Sequence, residues 1–500
     1  MENKKHFLWG AFILAVAGGI SKLMGAIYRI PLARLIGPEG MALYQMAYPI
    51  YTTILSLATA GVPVAISVLV SRRETEGYSG DSRKIFRVSL LILGVSGLIL
   101  TLAVMQGAHF IADHILNEPR AYWPIVAVAP AIFFAGLMSV YRGYFQGYQT
   151  MMPTAVSQVI EQLFRVTAVL IFAYLLFPRG LEFAAAGATS GAVVGGIAGI
   201  VVLFIYYYRF RKKQRHDQVE LNYSGTGSWS LGKEMVYMAI PVSFGAVVLP
   251  LLQIVDAIIV PGRLEAIHYS HSQAMALYGQ LAGMASVLIS LPAILTISIG
   301  TSLVPAVAEA LARSDRSMLY QRINYALRAG MIVSLPCTAG LYILAYPISD
   351  LLYKLPQVGR ALEPMAFACI VLAAFQISSA GLQGAGRPEL AMRSLIITGV
   401  FKVIFNYTLT SVPALNIRGA ALGTVLAFLI GSSINIISLK KITGVIYEKE
   451  RLIKIMLVTV VMTLGVKIVY QALIGADLNS HISTLLAITA GVAFTACYYC

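Results

Sequence analysis

Apolar runs of about the length a helix needs to cross a hydrocarbon core repeat along the whole chain, and short polar intervals between them hold most of the charge. This alternation predicts spanning helices near 7–36, 42–70, 85–108, 121–146, 154–177 and 182–208. Six more are expected near 234–261, 274–304, 324–347, 361–383, 390–411 and 417–439, and a last pair near 452–473 and 480–500. The expected fold class is an all-α polytopic membrane protein with about 14 transmembrane helices. Residues 209–233 open with RFRKKQRHDQVE, continue through a Gly/Ser-rich patch, and read as a cytoplasmic linker. The linker divides an N-terminal lobe, 1–208, from a C-terminal lobe, 234–439, and 440–500 forms a C-terminal helix pair. The final apolar run reaches residue 500 without a polar flank, the pattern of a sequence that stops short of its natural end.

The pattern also repeats internally. Laying Gln146-Gly147 on Gln383-Gly384 places Phe164-Arg165 on Phe401-Lys402 without a gap. GMALY at 40–44 returns as AMALY at 274–278, and AAAGATSG at 184–191 resembles RGAALGT at 418–424. Taken in order, these matches indicate duplication into two pseudo-symmetric six-helix lobes. An even number of spans in each lobe makes both enter from the same side, related by an axis along the membrane normal.

Composition rules out a soluble globule: 58% of residues are hydrophobic, 12% are charged, and the mean hydropathy is +0.77. The formal charge of +15 does not point to nucleic acid, because Lys and Arg cluster between apolar runs, where they set topology. One set of alternate loops carries Lys4, Lys5, Arg72, Arg73, Arg83, Lys84, Arg209 to Arg215, Arg313, Arg316, Arg322 and Lys440 to Arg451. The N-terminus is therefore expected in the cytoplasm. Cys337, Cys369, Cys497 and Cys500 lie in or beside apolar segments and read as small buried residues, with no disulfide framework. The first apolar run lacks a small-x-small cleavage site and is expected to remain in the protein.

Most charges inside the spans are positive: Lys22, Arg29 and Arg34 in the first, Arg142 and Arg165 in the fourth and fifth, Lys402 in the eleventh. Such charges are costly in lipid and are expected to face a cavity. The set suits an anionic cargo such as a pyrophosphate. Arg34 and Arg142 have a plainer reading as interfacial side chains that snorkel to headgroups. Glu161 and Arg165 share a helical face and can pair, either as structure alone or as a gating or ion-coupling pair. Asp256, with Gln253 a turn before it, is the second embedded acid, with an interhelical hydrogen bond as the alternative role. Gln146 and Gln383, at matching repeat positions, complete the expected cavity set. Prolines interrupt many spans and supply hinges, while Gly187, Gly191, Gly195 and Gly199 form a smooth packing face. His268-x-x-His271 is the only metal-like spacing and lies in a short loop with Glu265 nearby. No phosphate-cradling P-loop pattern occurs. The expectation is a non-enzymatic carrier without cofactor or metal, driven by an ion gradient, the membrane potential or the gradient of its cargo.

The stretches RGYFQGYQTMMPTAVSQVIEQLFRV (142–166), YRIPLARLIGPEGMALYQMAYPIY (28–51) and GVPVAISVLVSRR (61–73) resemble the polysaccharide flippase branch that holds stage V sporulation protein B and the Gram-positive lipid II flippases. This branch belongs to the multidrug/oligosaccharidyl-lipid/polysaccharide exporter superfamily. The resemblance covers essentially the whole chain. It implies two six-helix lobes around a V-shaped cavity, two C-terminal helices that form a groove for a lipid tail, and undecaprenyl-pyrophosphate-linked sugar as cargo. The expected setting is the bacterial inner membrane, in contact with membrane lipids and with cell-wall synthesis enzymes as partners, with the role in growth or sporulation left open; a two-lobed carrier needs no second copy to form its pathway, so a monomer is expected. Ser21-Lys22-x-x-Gly25 matches the first-span pattern of the lipid II flippases. Their cavity arginine downstream is displaced here to Arg29 or replaced by Tyr28, and their second-span arginines have no counterpart in Pro49 to Thr53. The departure leaves two possibilities, a different basic set for the same headgroup or a different lipid-linked glycan. A cation-coupled multidrug exporter on the same fold is the rival function, and a membrane glycan polymerase or scaffold is a third.

Overall fold

The computed structural model describes residues 2–216, 222–445, 448–476 and 478–499, which are almost wholly helical, with no strand among them. They divide into two compact units, Met1–Ile258 and Ile259–Cys500. The first unit contains α1 (Glu2–Ile27), α2 (Arg29–Thr59), α3 (Val62–Thr75), α4 (Ser79–Phe110), α5 (Tyr122–Val128), α6 (Pro130–Gly147), α7 (Met152–Leu176) and α8 (Leu181–His216), together with most of α9 (Ser228–Ala266). The second contains the end of α9, then α10 (His271–Tyr278), α11 (Ser286–Ala312), α12 (Arg316–Ile343), α13 (Ala345–Tyr353), α14 (Gly359–Met365) and α15 (Ala368–Gly384). It closes with α16 (Pro388–Thr410), α17 (Ile417–Thr443), α18 (Lys449–Gly475) and α19 (Ser480–Tyr499).

Individual helices show why the chain belongs in lipid. On α4, Leu91, Val95, Leu98, Ile99 and Leu102 form an exposed stripe, while Ser89, Gly97 and Thr101 are on the buried side. In water this helix would be inside out; in a bilayer the apolar stripe faces acyl chains and the small residues allow close helix packing. Among the described residues, eleven helical stretches are long and apolar enough to cross a membrane. There are up to twelve if the pair Pro356–Met365 and Ala368–Gly384, bent by 42°, is one span. One of the eleven, Phe12–Thr75, has 64 residues, about three times what one crossing requires. Ser480–Thr495 is a shorter apolar helix. Fourteen crossings are compatible with this arrangement.

The break expected between the first two spans falls at Gly37, whose φ of 69° interrupts α2 just before Pro38. A side chain is strained at that φ, so glycine permits the turn and proline ends the preceding helical segment. A second break follows α2 at Gly61. A Cβ there would lie 2.1 Å from the Ala239 carbonyl of α9, so only glycine admits this approach. The Gly61 N–H donates to Ser243 Oγ at 3.1 Å, which satisfies a donor that the break leaves free.

The linker departs from its expected length. Residues 209–216 continue α8 as helix and 228–233 begin α9, so little more than 222–227 is non-helical among the described residues there. Residues 217–221 lie outside them. The segment from Asn222 to Thr226 is held against the start of α4. Gly80 N donates to Asn222 O at 2.8 Å, and the fully buried Asp81 accepts from the Ser224 N–H at 3.3 Å and from the Ser224 hydroxyl. Lys84 pairs with Asp81 at 3.4 Å and donates to Thr226 O at 3.3 Å. A buried carboxylate is tolerable only when its lone pairs are met in this way.

Equivalent contacts recur in the two units. In the first, a Cβ on Gly147 of α6 would lie 2.6 Å from Val70 Cβ and 3.1 Å from Ser67 O of α3. In the second, one on Gly384 of α15 would lie 2.9 Å from Val307 Cβ and 2.6 Å from Val304 O of α11. Gly187 approaches Phe172 O as Gly419 approaches Leu409 O, at 2.6 and 2.2 Å. Each pair keeps the spacing of Gln146 to Gln383, or the corresponding spacing of the 184–191 and 418–424 match. The repeat is therefore one of helix packing as well as of sequence.

Candidate functional site

The glycine face of α8 sets the site in the first unit. Cβ atoms on Gly191 and Gly195 would lie 2.9 Å from Arg165 O and 2.6 Å from Glu161 O, and one on Gly199 would lie 3.4 Å from Glu161 Cβ. The α7 backbone thus lies directly against α8 at these glycines. Glu161 meets α6, where Arg142 Nη2 donates to Glu161 Oε2 at 2.8 Å and Arg142 Nε to Ser157 Oγ at 3.1 Å. Arg165 Nη2 donates to the other carboxylate oxygen, Glu161 Oε1. One carboxylate therefore bridges two guanidiniums. All three side chains are largely buried, at 13% to 17% exposure, so the group carries one net positive charge away from bulk water. Arg142, which had the plainer expectation of reaching a headgroup, ends instead on Glu161.

A row of tyrosines, Tyr28 at the start of α2 and Tyr44, Tyr48 and Tyr51 within it, lies on the side of this group nearest Arg165. Tyr28 and Tyr44 share a hydroxyl hydrogen bond of 2.7 Å, Tyr44 stacks on Tyr48 at 5.5 Å, and Tyr48 meets Tyr51 at 5.7 Å. The Arg29 guanidinium lies 5.8 Å from the Tyr48 ring centroid, within cation–π range. Tyr28, Tyr48 and Tyr51 are within electrostatic reach of Arg165. Facing α7 from α1 are Ser21 and Gly25, the latter 3.2 Å in Cβ terms from the Gln162 side-chain amide. Four buried polar atoms here have no hydrogen-bond partner: Ser21 Oγ, Arg29 Nε, Gln158 Oε1 and Arg165 Nε. Unmet donors and acceptors at such depth are costly. An anionic ligand rich in oxygen would satisfy the two guanidinium donors.

The remaining expected residues are placed differently. Lys22 is exposed on α1, and Gln146 lines a separate polar cleft of about 600 Å³ with Ser67, Ser71, Arg72 and Gln149. Asp256 is half-buried on α9 and engaged in a polar contact. In the second unit Lys402 is buried on α16 at 7% exposure and also has a polar partner, while Gln383 is exposed. At the repeat positions of Glu161 and Arg142 stand Thr398 and Ser379. The duplication thus keeps the cation and not the acid. His271 Nδ1 pairs with Glu265 at 2.6 Å on the surface. Cys337 and Cys369 are free thiols in apolar spans. Cys500 lies outside the described residues, as does the side chain of Cys497. Arg142, Ser157 and the tyrosine row were missed as members of one site. Arg142 lies on a different helix from Glu161, and no periodicity links them.

The fold and this buried basic cluster define a multi-span membrane protein of transporter architecture. The chain belongs to the polysaccharide biosynthesis protein family, whose model matches residues 7–311; a MatE model matches 241–408. It is 30% identical to stage V sporulation protein B of Bacillus subtilis, covering 88% of this chain and 84% of that protein. It is also 30% identical to lipid II flippase MurJ of the same organism, covering 93% and 89%. Among solved structures, lipid II flippase MurJ in an inward closed conformation aligns with a TM-score of 0.71 at 17% identity, covering 98% of this chain and 99% of that one. An inward-facing MATE family transporter of the MOP superfamily aligns at 0.71 and 18%, covering 85% and 94%. The expected membership of the flippase branch of this superfamily is thereby borne out.

Proposed function

We propose that this protein flips an undecaprenyl-pyrophosphate-linked cell-wall precursor, lipid II or a related lipid-linked oligosaccharide, from the cytoplasmic to the outer leaflet of the bacterial inner membrane. The observation that carries this reading is the buried Arg142–Glu161–Arg165 group, net positive and next to Arg29 and its tyrosines. Charge-assisted hydrogen bonds from guanidiniums match phosphate oxygens in number and geometry, and tyrosine rings offer flat apolar faces to a sugar. Lys402, the repeat equivalent of Arg165, supplies a second buried cation. A relative named lipid II flippase supports the same class of cargo.

In this reading the basic site opens alternately to each leaflet, with the two lobes and C-terminal helix pair as the moving parts. The N-terminus is cytoplasmic and the chain works as a monomer among membrane lipids, supplying cell-wall synthesis enzymes without catalysing a reaction. The multidrug exporter reading is weaker, because a cationic drug would meet a net positive cluster. The test is leaflet accessibility of lipid II in cells whose only candidate flippase is this protein, probed with an externally added enzyme that cuts the exposed headgroup. Cleavage that depends on the protein supports the reading. Lipid II that stays inside while the protein is folded and inserted excludes lipid II as the cargo, leaving another lipid-linked sugar or a cargo that is not a lipid.

A further inference from the structure

We propose that the polar cleft where α3 and α6 end binds the glycan of the cargo, through the hydroxyls of Ser67, Ser71 and Thr75 and the side-chain amides of Gln146 and Gln149. This inference rests on the pyrophosphate reading above and adds to it the groups that recognise sugar.

Arg142 and Gln146 lie four residues apart on α6, about 6 Å along its axis and on one face. Arg142 meets Ser157 and Glu161 of α7, while Gln146 opens into the cleft beside α3, with Gln149 and Met151 on the segment that leads into α7. Gly147 brings this end of α6 onto α3, since a Cβ there would lie 3.1 Å from Ser67 O. In a pyrophosphate-linked glycan the first sugar is bonded directly to a phosphate. A glycan whose pyrophosphate rests on the guanidiniums therefore has the cleft within reach of its first sugars. Arg72 and Arg73 mark this end of α3 as the one expected in the cytoplasm, the side from which the cargo enters.

The chemistry of the cleft is that of a neutral, hydroxyl-rich ligand. Its volume is about 600 Å³, within the range of small-molecule sites. Ser67, Ser71 and Thr75 recur every four residues on α3 and form one row. Ser67 Oγ donates to Val64 O at 2.9 Å and Thr75 Oγ1 to Ser71 O at 2.8 Å, which leaves lone pairs to accept from sugar hydroxyls. The amides of Gln146 and Gln149 make no side-chain hydrogen bond among the described residues. Each offers two donors and an acceptor, the complement of hydroxyl and acetamido groups. The ionic groups cancel: Arg72 pairs with Glu76 at 3.1 Å and with Glu234 of α9 at 3.5 Å, and Glu76 pairs with Arg73 at 3.0 Å. Two cations and two acids leave no net charge to attract a second phosphate. Glu74, on the same helix, accepts from the Tyr148 hydroxyl at 2.6 Å and does not line the cleft.

The repeat separates this role from helix packing. The spacing that carries Gly147 to Gly384 carries Ser67, Ser71 and Thr75 to Val304, Ala308 and Ala312. It carries Arg72 and Glu76 to Glu309 and Arg313, which also pair, at 2.7 Å. The second unit thus keeps the glycine contact and the ion pair, with its polarity reversed, and not the hydroxyls. The duplicated packing does not require the hydroxyl row, which stands in the unit that also holds Arg142, Glu161 and Arg165.

The experiment uses the full-length protein in nanodiscs and two probes. One is a short-chain polyprenyl pyrophosphate bearing N-acetylglucosamine; the other is its methyl ester counterpart, with the same two charges and no sugar. Wild-type protein should bind the sugar-bearing probe about 10-fold more tightly by calorimetry. Ser71→Ala combined with Gln149→Gly should abolish that preference and leave the affinity for the methyl ester unchanged. Neither substitution adds bulk, and glycine accepts the φ of 57° at position 149. Ser67→Ala with Ser71→Ala, which leaves that segment intact, is the second variant and should narrow the preference in the same way. Equal binding of the two probes by wild type, a preference that survives in both variants, or equal weakening of both probes overturns the glycan site and leaves the pyrophosphate reading standing. Absence of binding of either probe by folded wild-type protein overturns both.

Discussion

Arg142 on α6 and Glu161 on α7 meet at 2.8 Å, and with Arg165 on the other carboxylate oxygen the contact ties two membrane helices through one acid. Removing the acid alone leaves two guanidiniums at depth without an anion. Glu161→Ala should therefore lower the stability of the detergent-solubilised protein by about 3–5 kcal/mol. Glu161→Gln, which keeps a hydrogen-bond acceptor, should cost less. Thermal melting of the two variants in one detergent checks the order; equal melting temperatures would remove the bridging role.

Neutralising Arg165 should affect cargo more than fold, because Arg142 still pairs with Glu161. A charge-assisted hydrogen bond contributes about 1.5–3 kcal/mol, so Arg165→Gln should weaken pyrophosphate-lipid binding by about 10- to 100-fold. Combined with Lys402→Met it should abolish flipping in correctly inserted protein. Unchanged flipping in the double variant would exclude these two residues from the pathway.

Gly61 faces the Ala239 carbonyl, which a methyl group would meet at 2.1 Å. Gly61→Ala should force α9 away from the break that follows α2 and cost about 1–3 kcal/mol. Gly18→Ala, at a position open to within 4 Å, should leave the melting temperature unchanged. Equal behaviour of the two variants would contradict the close approach.

Asp81 is the buried anchor of residues 222–226 on α4. Asp81→Ala strands the Ser224 donors and Lys84, so the segment from Asn222 to Gly227 should become cleavable by added protease while the helices stay intact. Fragment mapping by mass spectrometry gives the answer. Protection equal to wild type would show that the anchor lies elsewhere.

The glycine repeat makes a paired prediction. Gly187→Leu and Gly419→Leu put bulk against equivalent carbonyls, those of Phe172 and Leu409. Both should destabilise the protein, by about 1–3 kcal/mol or more. A large effect at only one of the two would argue that the duplicated packing is not equally important in both units.

Apolar run length and the placement of Lys and Arg were enough, before any coordinates, to indicate an all-α membrane protein. The reason is that lipid offers the backbone no hydrogen-bond partner and therefore forces spanning segments into helices. The duplication was equally legible, since Gln146-Gly147 and Phe164-Arg165 recur in register at Gln383-Gly384 and Phe401-Lys402. The linker was misjudged in length: polarity marks what can meet water, and a polar stretch such as Arg209 to His216 can still extend a helix. The basic residues were recognisable singly because each is costly in lipid, but apart from the pairing of Arg165 with Glu161 their partners were not. Ser157, Glu161 and Arg165 share a face by helical period, whereas Arg142 and the tyrosines at and within α2 reach the same place only after three helices pack. Sequence determined that buried cations must be compensated; the tertiary structure decided by which groups, because contact between helices depends on where their smooth faces allow the backbones to approach.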